Sequence, residues 1–268
     1  MTTGVLIFAF NNDQIDYLAM AAWSANNIRR HLNLPVCVVT DCENIPVHYN
    51  FDCVVKTKHR EPSYRHFGDI EGVVNWYNAN RIDAYALSPW DNTMVLDADY
   101  IVASDQLLVL LESKEDFLAH RTAYDITGLQ PFTDLNVFGR HNMPMWWATV
   151  MFFRRSKTAE LLFNSMIMIH DNWLHYRNVY KNSKATYRND HALSIALGMV
   201  NGHVINHNTI PWGLASLTSG PILKQIDQDQ YRVDYFTAQK QHRWIKLVNQ
   251  DFHAMGKSQL GAIVANPC

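Results

Sequence analysis

Three runs near the start of the chain, Val5 to Phe8, Val36 to Val39 and Phe51 to Val55, are apolar or nearly so. Between the first two, Ile15 to His31 carries apolar residues at helical spacing. A strand without polar alternation has to be covered on both faces, and two such strands joined through a helix run parallel. The pattern predicts an α/β fold with a Rossmann-like, mostly parallel central sheet flanked by helices. Ligands bind such sheets at the carboxyl ends of their strands, so Asn11, Asp41 and Asp97 are expected to converge on one crevice. Further along, the spacing predicts helices at 72–87 (with Trp76, Asn80 and Arg81), 104–111, 157–175 and 189–199. Strands are expected at 117–120 and 148–153, and a polar helix-like stretch near 222–247. With no internal repeat or low-complexity linker, a single domain, 1–268, is expected.

Asp97-Ala98-Asp99 ends the apolar run Thr93 to Leu96 and precedes a second one, Tyr100 to Val102. In extended backbone both carboxylates point the same way, and together they can hold one hard divalent cation through oxygen ligands. The alternative is a strand-end turn with two solvated aspartates. Burying two like charges with no partner would cost several kcal/mol or shift a pKa strongly. The net charge of -2 gives no overall attraction to nucleic acid, and only a local basic face could supply one. The four cysteines, Cys37, Cys42, Cys53 and Cys268, form no Cys-x-x-Cys pair or zinc set and read as reduced thiols. No basic leader precedes the first strand and no apolar run reaches about 18 residues, so a cytoplasmic enzyme is expected (in a host cytoplasm, if the chain is phage-encoded).

In order along the chain, four segments resemble glycosyltransferases of the GT-A fold, most closely the retaining glycogenin and galactinol-synthase-like group. They are the first strand with its Asn-rich turn, Arg81 lying 16 residues before Asp97, the Asp-x-Asp strand, and His253-Ala254-Met255-Gly256-Lys257. The last is similar to the family's His-x-x-Gly-x-x-Lys signature, with Lys257 here directly after Gly256. The resemblance implies sugar transfer from a nucleoside-diphosphate sugar, expected to be a UDP-sugar, with retention. Mn²⁺ or Mg²⁺ would be held by Asp97, Asp99 and His253, and Lys257 would add a second cation at the leaving group. Donor contacts would come from Ala9, Phe10, Asn11, Asp41, Arg81, Asp97, Ala98, Gly256 and Lys257. Residues 1–103 become the nucleotide-sugar half and 104–268 the acceptor-side half.

Ala148 to Phe153 resembles the strand that lies under the donor sugar in that family, with Trp147 and Thr149 bulkier than the residues usual there, which suits a pentose. Trp147, Ala148, Thr149, Asp190 and His191 are the expected sugar and acceptor pocket, and Asp190 with Lys257 the expected catalytic pair. Asp190 also suits a helix N-cap.

Residues 172–189 contain Arg177, Lys181, Lys184 and Arg188 and no acid, with tyrosines interleaved. Such a segment can track a phosphate backbone, which would suit an acceptor on nucleic acid such as a hydroxymethylated DNA base, as in bacteriophage-type enzymes. A solvated helix face explains it equally. Lys240, His242, Arg243, Trp244 and Lys246 form a second basic cluster. The alternative acceptor is a saccharide, lipopolysaccharide or small polyol, with Trp146, Trp147 and Trp212 as lining. A sugar-nucleotide-binding module without turnover and a nucleotidyltransferase are further readings. The intact acidic and basic set speaks against the first, and the lack of an N-terminal Gly-rich loop against the second.

Overall fold

The computed structural model describes residues 2–65, 74–77, 79–182, 185–203 and 209–265. In chain order, β1 (Thr3–Phe8), α1 (Tyr17–Leu32), β2 (Val36–Thr40), β3 (Cys53–Lys56) and β4 (Asn92–Leu96) form the first half. There follow β5 (Tyr100–Ile101), β6 (Phe117–His120), β7 (Ala123–Asp125), β8 (Trp147–Arg154), α2 (Lys157–Asp171) and α3 (Asn189–Val200). The chain continues with β9 (Leu214–Leu217), β10 (Ile222–Asp227), β11 (Gln230–Phe236), β12 (His242–Val248), β13 (Phe252–Ala254) and α4 (Lys257–Ala265).

The main sheet runs β3-β2-β1-β4-β8-β6. Its first four strands are parallel, and β8 and then β6 add in antiparallel fashion. Val5, Leu6 and Ile7 have no exposed surface because β1 lies between β2 and β4 with side chains covered above and below. The mostly parallel sheet with flanking helices is therefore present as the apolar runs predict. α1 starts where the Asp16 carboxylate accepts the Ala19 amide at 2.9 Å, and ends where Asn33 turns left-handed at φ 52°. A second sheet, β5-β13-β9-β7, packs four short strands beside the first, with β13 antiparallel to β5. This sheet carries His253 to the end of β4.

Two expected helices are absent among the described residues. At 72–87 the described residues give a strand, Val74–Trp76, a 3-10 turn, Ala79–Asp83, and a single helical turn, Ala84–Leu87. Asn75 and Asn80 are poor helix formers, and both are engaged elsewhere: the Asn75 carbonyl accepts from Asn12, and the Asn80 side chain bonds the backbones of Lys58 and Arg60. The stretch 222–247 is a three-stranded antiparallel meander, β10-β11-β12. Its inward residues Leu223, Tyr231, Val233 and Leu247 alternate at period two, which the exposed apolar residues Ile222, Ile226, Phe236, Trp244 and Val248 obscure in the sequence. Its turns use Asp229 and Lys240 at positive φ, so no glycine marks them. Cys37, Cys42 and Cys53 are free thiols.

Candidate active site

β4 ends at Leu96 and the chain turns at once: the Tyr100 amide donates to the Asp97 carbonyl at 3.0 Å. The Asp-x-Asp triplet is thus a tight turn rather than extended strand, and the turn itself brings its carboxylates to one side. β13 then places His253 opposite Tyr100, with His253 Nε2 3.2 Å from Asp99 Oδ2 and 3.9 Å from Asp97 Oδ2. One ligand atom from each of Asp97, Asp99 and His253 lies within 4.8 Å of the others. Two carboxylate oxygens and an imidazole nitrogen form a donor set that suits Mn²⁺ or Mg²⁺. In this structure the carboxylates are neutralised by basic side chains: Arg81 pairs with Asp97, and Lys257, at the start of α4, pairs with Asp99.

Arg81 is buried and spans two elements, since its other Nη donates to the Ala148 carbonyl at 2.8 Å. Burial pulls its pKa down to about 10, with the nearby Asp190 carboxylate opposing, so it remains a cation at neutral pH. Ala148 is also held from the other side, its amide donating to Asp190 Oδ1 at 3.0 Å. These bonds replace sheet pairing, because the register of β8 with β6 shifts between Trp147 and Met151. Asp190 stands in the first turn of α3, where Arg188 donates to its Oδ2 at 2.7 Å. Burial would raise the Asp190 pKa, but Arg188, the Ala148 amide and Arg81 outweigh it and hold the carboxyl at about 2. The Arg188 guanidinium also lies over the Trp147 ring, 5.8 Å from its centroid, and Trp147 Nε1 donates to the Leu135 carbonyl at 2.9 Å.

These groups surround a cavity of about 310 Å³. Of the residues singled out from sequence, Phe10, Arg81, Asp97, Ala98, Asp99, Trp147, Thr149, Asp190, His253 and Lys257 line it. Ala9 is buried just past the carboxyl end of β1, its amide bonded to the Val39 carbonyl, and Ala148 acts through its backbone. Asn11 is turned to the start of α1, accepting the Leu18 amide and donating to Asp16. Asp41 faces His59 at 3.8 Å, and Gly256 accepts the Leu260 amide in the first turn of α4. None of these five is among the lining residues. His191 is likewise absent from the lining: its ring stacks on Phe138 and Trp173, because one step along a helix turns a side chain to another face. Trp146 and Trp212 are not in the lining either.

Sequence reasoning missed Tyr17, Trp76, Tyr77, Asp134 and Ser219 as lining residues, and assigned Arg188 to a phosphate-tracking segment instead of the cavity wall. Only the Arg188-x-Asp190 spacing, ordinary for an ion pair, hinted at its place. Of the rest of that segment, Arg177 belongs to the short helix Trp173–Val179, Lys181 follows it at φ 53°, and Lys184 lies outside the described residues.

No protein-family model matches the chain, and no curated protein matches it. Among solved structures, it is similar to mouse xyloside xylosyltransferase 1 in its apo form, with TM-score 0.48 and 12% identity over 82% of this chain and 89% of that one. It is similar also to the galactosyltransferase LgtC in complex with donor and acceptor sugar analogs, with TM-score 0.45 and 15% identity over 72% of this chain and 70% of that one. The glycosyltransferase GlyE of Streptococcus pneumoniae TIGR4 aligns with TM-score 0.43 and 14% identity over 75% of this chain. The chain spans less than half of GlyE, 43% of its length. With every TM-score below 0.5, these likenesses leave the functional reading to the cavity's own side chains.

Proposed function

We propose that the chain is a metal-dependent glycosyltransferase of the GT-A type that moves a sugar from a nucleoside-diphosphate sugar, UDP-linked by preference, to an acceptor hydroxyl with retention. The observation that carries this reading is the joining of Asp97, Asp99 and His253 with two basic side chains, Arg81 and Lys257, at the carboxyl end of a parallel strand. A diphosphate needs positive charge on its oxygens, and a divalent ion bound by this triad would stabilise the negative charge that grows there as the sugar leaves.

The other roles follow from placement. Lys257, paired with Asp99 here, is a point charge on a flexible stem and would neutralise either a carboxylate or a phosphate. Asp190, fixed by Arg188 and the Ala148 amide, is a carboxylate at all physiological pH and can accept hydrogen bonds from sugar hydroxyls. A carboxyl held at about 2 is a poor general base. The proton of the acceptor hydroxyl therefore goes to a β-phosphate oxygen of the departing diphosphate as the bond from sugar C1 to that phosphate breaks and the new glycosidic bond forms. Trp147 and Thr149 line the cavity, and their bulk favours a small donor sugar such as a pentose.

The acceptor is either a hydroxymethylated base of nucleic acid or a saccharide, lipopolysaccharide or polyol. The test is release of nucleoside diphosphate from a panel of sugar nucleotides, with Mn²⁺, with Mg²⁺ and with excess chelator. Turnover should require metal, and Asp99→Asn should lower it by orders of magnitude while leaving the fold intact. Full turnover in chelator would overturn the assignment.

A further inference from the structure

The basic cluster near the C-terminus lies on the meander, outside the cavity lining, and the reaction above leaves it without a role. Alternation in β10, β11 and β12 turns Leu223, Tyr231, Val233 and Leu247 inward and leaves an outward face. On that face the register sets Lys224 opposite Arg232 and Arg232 opposite Lys246, three cations in one row across three strands. Like charges directly opposite one another destabilise a sheet, and strands about 4.8 Å apart put these within about 10 Å. The adjoining row is Ile222, Asp234 and Trp244, and beyond it Phe236 faces His242. Trp244 is 57% exposed and Phe236 62%, high values for large aromatic rings. Of the acids here, Asp234 is engaged by Arg232 at 2.8 Å and His242 at 3.0 Å, with the Arg232 guanidinium over the Trp244 ring, and Asp227 stands at the end of β10 opposite Gln230, beyond the cation row.

We infer that this face binds a single-stranded polynucleotide, its phosphates along the Lys224, Arg232 and Lys246 row and its bases against Trp244 and Phe236. A cation track beside exposed rings is the chemistry that holds unpaired strands, since every base has a π face. A lipid surface fits less well: Ile222 and Trp244 are separated by Asp234, so burying the apolar groups would also drag a carboxylate and the cation row out of water. A second copy of the same face would set this row against itself. The aromatic rows are the ones nearest the cavity, because Ser219 of its wall lies three residues before Ile222, within about 10 Å of chain. The inference deepens the nucleic-acid branch of the proposed function by naming the surface that holds the acceptor strand.

Fluorescence anisotropy with a labelled oligo-dT, read over a range of salt, tests it. The double variant Lys224→Gln, Lys246→Gln removes two phosphate contacts, and the slope of log affinity against log salt should become shallower by about 1.4. Trp244→Ala should weaken binding by about 5- to 150-fold, the range for one stacked base. Thermal melts of each variant check that these exposed substitutions leave the fold alone. Absence of oligo-dT binding by the native chain at low salt, or an unchanged slope in the double variant, overturns the proposal. So does binding of phosphatidylglycerol vesicles in preference to oligo-dT, or concentration-dependent self-association that the same double variant abolishes. Donor hydrolysis, measured in parallel, separates the two ideas: neither lysine touches the cavity, so it should be unchanged in the double variant whatever the oligo-dT result.

Discussion

Arg81 joins the end of β4 to the start of β8, pairing with Asp97 and donating to the Ala148 carbonyl. Arg81→Ala would leave a buried carboxylate and a carbonyl unmet, and should lower stability by about 3–5 kcal/mol in denaturant melts. Loss of activity in that variant would report on folding as much as on donor binding. Asp190 offers a sharper residue-scale test. Its native pKa lies below the unfolded 3.8, at about 2, so its contribution of about 2 kcal/mol is complete above pH 3.8. The contribution fades as pH falls toward 2. Stability measured from pH 5 down to 2 should fall less steeply in Asp190→Asn, and equal slopes would show that the Arg188 pair does not hold this carboxyl. Residues of this kind were legible where the side chain's type carries the chemistry, as in Asp97, Asp99, His253 and Lys257. Tyr17, Trp76 and Asp134 were not, because an aromatic or lone acid looks the same in sequence whether it lines a cavity or a surface.

Among elements, β1, β2, β4 and α1 were readable because periodicity is local, and they set the carboxyl-end crevice. The tight turn at Asp97 to Tyr100 was readable only as the strand-end alternative, and the meander was not readable, for different reasons. The turn is closed locally, by the Tyr100 amide on the Asp97 carbonyl, but the apolar runs on either side of the triplet read as strand on both sides. The meander hides its period behind exposed apolar side chains and turns without glycine. β1 carries one further constraint: a Cβ on Gly4 would come within 2.4 Å of the Trp90 ring. Gly4→Ala should therefore destabilise by about 1–3 kcal/mol, the usual cost of overpacking, with nucleotide affinity unchanged at temperatures where the protein is folded. A neutral melt would mean that Trp90 can move aside. At the other end of the same crossover, Asp16→Ala removes the α1 cap and should cost about 1 kcal/mol.

At the scale of the whole molecule, the cavity is closed by segments far apart in the chain: Arg81, the Asp97 turn, the start of β8, the first turn of α3 and the His253 to Lys257 loop. No one of them forms the site alone, so a ligand that bridges them is bound by the folded state and not by the unfolded chain. Linkage then makes binding visible as stability. With Mn²⁺ present and UDP at one hundred times its dissociation constant, the gain should be about 2.7 kcal/mol. For a chain of this size that corresponds to a rise in melting temperature of roughly 5–10 °C. Excess chelator should reduce the rise to that of UDP alone, and Asp99→Asn should behave like the chelated protein because the triad has lost one charged ligand. Lys257→Met separates the two sources of positive charge: metal should still add to the UDP-dependent rise, which becomes smaller because the diphosphate has lost one cation. A full UDP-dependent rise in Asp99→Asn with metal present would place the diphosphate elsewhere, and the joining of distant segments at this cavity would then serve the fold alone.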